Sequence, residues 1–297
     1  MADKSGKAEN VTKKQGNLII IGGGERKDEE RRILKEVARQ AGSGKLVVVT
    51  VATEEPRESF KEYQKIFKEL GVKNIEHLDV RLREEAKSEE RVKILEGAKV
   101  VFFTGGDQLK ITSQLGDSAV YQTLERLHQE GTTVAGTSAG ASVMSETMLI
   151  SGDGEESHKV GKLLGMAPGL GLIRDMVIDQ HFAERGRLGR LLGAISQNPR
   201  QLGIGLDENT AIVVHDQESF EVIGEGAAYV LDGSDSSYSN LGEGEEEEKT
   251  MSVFDIKLHV LSEGNRFDLK ERRPELPPKP EEEAKEPAEK RKEMQPA

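Results

Sequence analysis

The segment Thr133-Val134-Ala135-Gly136-Thr137-Ser138-Ala139-Gly140-Ala141 reads as a short strand that turns at once into a helix. Thr133 to Ala135 is the strand, and it runs into Gly136. The glycines on either side of Ser138 leave room for a backbone that a Cβ would obstruct. Their G-x-S-x-G spacing stands a serine hydroxyl at the carboxyl end of the strand. Upstream the same alternation recurs. Leu18 to Ile21, Lys45 to Val51 and Val100 to Thr104 are short apolar, β-branched runs, and Ile75 to Leu78 is a shorter strand candidate. Between them, Asp28 to Ala41, Glu58 to Leu70, Ser88 to Glu96 and Ser118 to Glu130 carry apolar residues at helical spacing. Continuous apolar strands alternating with amphipathic helices predict the α/β class, with a mostly parallel central sheet flanked by helices on both faces.

Past Ser151 the pattern changes. Val177-Ile178 predicts a strand leading into Asp179-Gln180-His181, and Arg187 to Gln197 a helix with Leu188, Leu191, Leu192 and Ile195 on one side. Gly203 to Leu206, Ala211 to His215, Ser219 to Gly224 and Ala227 to Leu231 read as further strands, and Met251 to Leu261 as the last. Asp232 to Thr250, which holds the Glu243 to Glu248 run, reads as a loop. Residues 1–15 are expected to be a flexible leader, 16–271 a single catalytic domain and 272–297 a disordered Pro/Glu/Lys tail. That tail has too little apolar surface to offset chain entropy.

Composition bounds the function. At 297 residues the chain can bury a real core. Asp plus Glu number 54 against 42 Lys plus Arg, so a nucleic-acid protein with a basic face is not expected. There are no cysteines, hence neither thiol catalysis nor disulfides. Met1 to Asn17 lacks the apolar core of a signal peptide, and no apolar run approaches a membrane span. These features predict a cytoplasmic protein without membrane partners. The histidines are scattered without H-E-x-x-H spacing, so no metal or cofactor is expected.

A serine hydroxyl needs a base to remove its proton, and histidine serves at neutral pH. Of the six histidines, His128 fits a solvated helix face; His77, His215 and His259 fit structural positions in or beside strands; His158 lies in a polar loop. His181 differs, because it follows a strand directly, among Asp179, Gln180, Arg185, Arg187 and Arg190. The acid that orients the imidazole is Glu208 or its neighbour Asp207, and spacing does not separate them. Ala139, at a helix N-terminus, and Gly106, in the turn after the preceding strand, are placed to supply oxyanion-hole N–H groups.

Together with Ile19-Ile20-Ile21-Gly22-Gly23 and Gly105-Gly106-Asp107-Gln108, these segments resemble the cyanophycinase family. The segments concerned are Gly136 to Ala141, Asp179-Gln180-His181-Phe182 with Arg185 to Arg190, and Gly205-Leu206-Asp207-Glu208. The resemblance runs from about Gly16 to Leu231, and the elbow is shared with related aspartyl dipeptidases. It implies a serine exopeptidase that releases β-Asp-Arg dipeptides from cyanophycin, a poly-aspartate with arginines amide-linked to its side chains. By position it implies Ser138 as nucleophile, His181 as base and Glu208 as orienting acid. It also implies a substrate pocket of Gln108, Asp179, Gln180, Arg185, Arg187 and Arg190, and a homodimer. Arginine forks suit the substrate's carboxylates and Asp179 its guanidinium. Three other readings compete: a dipeptidase for short Asp-X peptides, an inactive binding homologue, and a nucleotide-binding module built on Gly22-Gly23-Gly24. The last lacks a full G-x-G-x-x-G, since Lys27 stands where the final glycine belongs.

Overall fold

Leu18–Ile21 is apolar at every position because both faces of its strand are covered, β1 lying near the middle of a nine-stranded sheet. The computed structural model describes residues 14–28, 30–151, 164–241 and 250–276. In chain order β1 is followed by α1 (Arg32–Ala41), β2 (Lys45–Val49), α2 (Pro56–Glu69), β3 (Asn74–Leu78) and α3 (Glu89–Leu95). Then come β4 (Ala98–Phe103), α4 (Gln108–Leu115), α5 (Ala119–Gln129), β5 (Thr133–Thr137) and the one-turn α6 (Ala139–Ser142). The second half holds β6 (Thr147–Leu149), β7 (Met166–Pro168), β8 (Met176–Gln180), α7 (Leu188–Gln197), β9 (Leu202–Leu206) and β10 (Thr210–His215). It ends with β11 (Ser219–Gly224), β12 (Ala228–Asp232), β13 (Tyr238–Ser239), β14 (Val253–Phe254), β15 (Lys257–Leu261), β16 (Arg266–Asp268) and β17 (Arg273–Pro274).

The large sheet has the order β17-β16-β11-β10-β1-β5-β4-β2-β3. Five of these strands, β1 to β5, run parallel, as the βα alternation predicts. The rest add antiparallel. The β10–β11 hairpin turns through Asp216 and Gln217, both at positive φ (52° and 59°), the sign that a tight twisted hairpin requires. Side chains alternate between two cores. Ile19, Leu46, Val48, Val100 and Phe102 pack with α1 and α2; Ile20, Val47, Val49, Val101 and Phe103 face α3, α4 and α5 on the other side.

A second sheet, β15-β12-β9-β8, covers part of that other side. Its inner residues, among them Ile178, Ile204 and Val230, join the core of the large sheet. Its outer residues Val177 and Leu231 are covered by Leu191, Ala194 and Ile195 of α7. The expected strand runs are present, joined by β6, β7 and β13, which the sequence does not announce; the division into two sheets is not legible locally. Other features also differ. Among the described residues α4 is a helix that the sequence reading lacks, built on an Asp107 cap that accepts from Leu109 N–H. Of the leucines expected on one side of α7, Leu191 is buried and Leu188, its first residue, is exposed. The expected final strand is two pieces, and β16 and β17 follow it, so strand pairing continues past the expected tail boundary at 272. His158, the Glu243 to Glu248 run and most of the leader and tail lie outside the described residues.

Candidate active site

The two sheets meet at their strand ends. Ser138 N–H donates to Ile21 O at 3.1 Å, which sets the elbow beside the turn after β1. His181 N–H donates to Gly22 O and Asn209 N–H to Gly23 O, both at 2.8 Å. These bonds fasten the ends of β8 and β9 from the small sheet onto the Gly22-Gly23-Gly24 turn of the large one. β8 and β9 are parallel neighbours, with Gln180 opposite Leu206. Their carboxyl ends therefore deliver His181 and Glu208 side by side, at the edge where open α/β sheets bind ligands.

Three side chains form a hydrogen-bonded row. His181 Nε2 lies 3.0 Å from Ser138 Oγ, and His181 Nδ1 lies 2.6 Å from Glu208 Oε1. An ionised carboxylate only accepts, so Nδ1 carries the proton and Nε2 of the neutral ring accepts from the serine. The imidazole is largely buried, whereas Glu208 is partly open to solvent. Ser138 sits at φ 53°, ψ −112°, outside the regions open to ordinary L-residues, and His181 is at φ 49°. Such outliers persist only where surrounding structure holds them.

Asp207, the rival acid, points elsewhere. Its carboxylate accepts from Ala183 N–H at 2.9 Å and Ala227 N–H at 3.1 Å, tying down the segment that follows His181. Ala139 follows Ser138 directly, and Gly106 follows Gly105, on which a Cβ would fall 3.4 Å from that of Ser138; among the described residues neither the Gly106 nor the Ala139 N–H reaches a backbone acceptor. Gln180 is buried and its Oε1 lies 3.5 Å from Ser138 Oγ. Gln108 opens α4 and donates from Nε2 to Leu149 O at 2.5 Å.

The arginines divide. Arg185 is exposed, and among the described residues no carboxylate pairs with it. Asp179, Arg187 and Arg190 are all buried. Asp179 Oδ2 takes Arg190 Nε at 2.7 Å, Oδ1 takes Arg187 Nη1 at 3.2 Å, and Arg190 Nη2 also bonds Oδ1. Arg187 further donates to Gln180 O at 2.5 Å. A carboxylate desolvated to this degree needs cations of its own, and two protein guanidinium groups already occupy it. The cluster braces the strand end that carries Gln180 and His181.

Other histidines lie apart from this row. His77 accepts or donates at Thr50 Oγ1 (2.7 Å) and stacks on Phe60, His215 contacts Asn17, and His259 packs near Phe267. His128 is a correction: it is 2% exposed, with Nδ1 3.1 Å from Thr132 O, rather than on a solvated face. α5 buries Leu124, Leu127 and His128 together where it packs on the sheet.

Sequence reasoning missed Glu25. This residue, three positions beyond the first glycine of the turn, is 5% exposed. It accepts from Tyr63 Oη at 2.5 Å and from Thr137 Oγ1 at 2.6 Å. Burial, then the Glu25 charge, pushes the Tyr63 hydroxyl well above the usual tyrosine range, so it stays a donor. The available signal was an acidic residue directly after a glycine turn at a strand's carboxyl end. The turn itself also has a role that the sequence reading lacks. A Cβ on Gly22 would fall 2.1 Å from Asp207 O, so only glycine admits this approach of the two sheets.

Comparison with known proteins places these features in a group. The sequence model of peptidase family S51 matches residues 18–222. A protein described as cyanophycinase from Nostoc sp. is 38% identical over 262 residues, 86% of each chain. One of the same description from Geminocystis herdmanii is 36% identical over 263 residues, covering 88% of this chain and 96% of its own. Among solved structures, a peptidase from an acI-B1 Actinobacterium superposes with a TM-score of 0.64 at 20% identity, over 87% of this chain and 98% of that one. The last likeness is one of fold.

Proposed function

The chain belongs to peptidase family S51 and is a serine-type peptidase, and from that premise we propose that it releases β-Asp-Arg dipeptides from cyanophycin as an exopeptidase. The observation that carries the reading is the row of Glu208, His181 and Ser138, joined at 2.6 and 3.0 Å. The relatives described as cyanophycinases supply the substrate.

In this reading Ser138 Oγ attacks the carbonyl carbon of the scissile backbone amide as its proton passes to His181 Nε2. Glu208 holds Nδ1–H, fixes the tautomer and favours the imidazolium that forms. Gly106 and Ala139 N–H groups meet the oxygen as it takes on negative charge. Collapse of the tetrahedral intermediate breaks the C–N bond, and His181 returns the proton to the leaving amine. Water then attacks the acyl-serine, losing a proton to His181, and departure of the acid restores Ser138. Arg185, exposed and bonded through its backbone N–H to His181 O, would in this reading meet a substrate carboxylate. Asp179, Arg187 and Arg190 act behind the site by holding the end of β8.

Incubating the purified protein with cyanophycin and identifying the products tests this. Dipeptide release that disappears in Ser138→Ala is expected. No release, or release undiminished in that variant, refutes it; cleavage of short Asp-X peptides alone would make the chain a dipeptidase.

A further inference from the structure

The hydrolytic row leaves one neighbouring feature unused. A cavity of about 260 Å³ opens beside Ser138 and is walled by Glu25, Lys27, Ser59, Tyr63 and Thr137. Glu25 is almost wholly buried, yet its two oxygens meet only neutral donors, the hydroxyls of Tyr63 and Thr137. Among the described residues no cation pairs with it. Lys27, the cation of the wall, is bonded to Glu62 at 2.8 Å, with its ammonium 4.7 Å from the centre of the Tyr63 ring. Two hydroxyls do not offset the desolvation of a carboxylate, whereas an entering cation does.

We propose that this cavity is the subsite for the guanidinium of a substrate arginine, and that Glu25 selects it. The proposal rests on the cyanophycin reading above. In that polymer each arginine is joined through its α-amine, so it keeps a guanidinium at one end and a carboxylate at the other. The wall offers the matching order, with an acid at depth in Glu25 and a base at the more exposed Lys27. The cavity is continuous with Ser138 and Gly105, so a residue seated there has its neighbouring carbonyl at the nucleophile. An uncharged side chain would leave the buried carboxylate without its counter-charge, and discrimination follows from that penalty.

Two aspartyl peptide substrates differing only in charge, one bearing arginine and one citrulline, read this directly. The wild-type protein should favour arginine in kcat/KM by roughly ten- to a hundredfold. Glu25→Gln should bring that ratio to within about threefold of unity by raising KM for the arginine substrate, with fluorophosphonate labelling of Ser138 unimpaired. Equal losses on both substrates would make Glu25 a strut for Thr137 and overturn the proposal, as would an unchanged preference. Ser59→Arg, on the half-exposed edge of α2, makes no demand on the core. It should abolish the preference in the same way by placing a competing cation in the cavity, and its failure to do so would count against the subsite. Should wild type cleave neither peptide, the cyanophycin reading fails and calorimetry decides the subsite separately. Binding of ethylguanidinium but not ethylurea, lost in Glu25→Gln, would sustain it; equal or absent binding would end it.

Discussion

The backbone of Gly23 lies so close beneath His181 that a Cβ built on it falls 2.4 Å from ring atom Cε1 and 2.5 Å from Nε2. Gly24 stands in the same relation to Glu208, 2.7 Å from Oε2. A glycine turn that in sequence could cradle a phosphate is here the bed on which an imidazole and its carboxylate rest. Positive φ at both glycines (101° and 56°) makes the bed flat, since other residues resist that conformation.

Gly23→Ala should therefore displace the ring rather than merely strain the turn. A misplacement of about 1 Å is enough to lower kcat by roughly a hundredfold. Rate measurements on the purified variant, with its far-ultraviolet dichroism unchanged, would show this. Wild-type turnover would mean that His181 does not depend on the bed.

Adjacent carboxylates should separate by phenotype. Glu208→Gln leaves two protein N–H donors elsewhere satisfied and should fold normally, with kcat lower by about 10²- to 10⁴-fold. Asp207→Ala strands the N–H groups of Ala183 and Ala227 and should lose about 2 to 4 kcal/mol of stability. Urea unfolding of both variants beside their turnover tests the division. A stable Asp207→Ala with collapsed turnover would reverse the assignment.

Ser138 carries backbone strain at φ 53°, ψ −112°. Ser138→Gly relieves that strain, whereas Ser138→Ala keeps it, so the glycine variant should be the more stable by about 1 to 3 kcal/mol. Both should be inactive. Equal unfolding midpoints for the two would indicate that the elbow is not strained.

Burial lowers the pKa of His128 from its ordinary 6.5, so the folded protein prefers the neutral ring. The unfolded chain then binds the proton first as pH falls. Stability should decline below about pH 6.5, by at most about 1.4 kcal/mol per pH unit from this residue. His77, also lowered by burial, adds a change of the same sign. His128→Asn should flatten the decline when urea midpoints at about pH 7.5 and about pH 5.5 are compared. An equal slope in the variant would place the pH sensitivity elsewhere.

Much of this architecture was legible in the chain. Leu18–Ile21 and residues 46–49 announce doubly covered strands because a run apolar at every position has no solvated side. The turn at Gly136 to Gly140 announces the elbow because its glycines have few other uses there. His181 stood out among the histidines because it directly follows a β-branched strand. These signals are local, and each element's own backbone and burial produce them.

Which strand ends converge is a different matter. Nothing within Met176–Gln180 or Leu202–Leu206 says that they form a sheet of their own, since a strand's hydrogen-bonding partner leaves no mark on its composition. Assembly of the two sheets put Glu208 rather than Asp207 behind the imidazole, a choice that spacing left open. It also turned Asp179, Arg187 and Arg190 inward onto one another, because a carboxylate buried at a strand end binds the nearest guanidinium groups. It buried His128, and it brought Glu25 beside a serine more than a hundred residues away through the hydroxyl of Thr137. Periodicity records whether a residue faces a core, and only the packed chain determines what waits for it there.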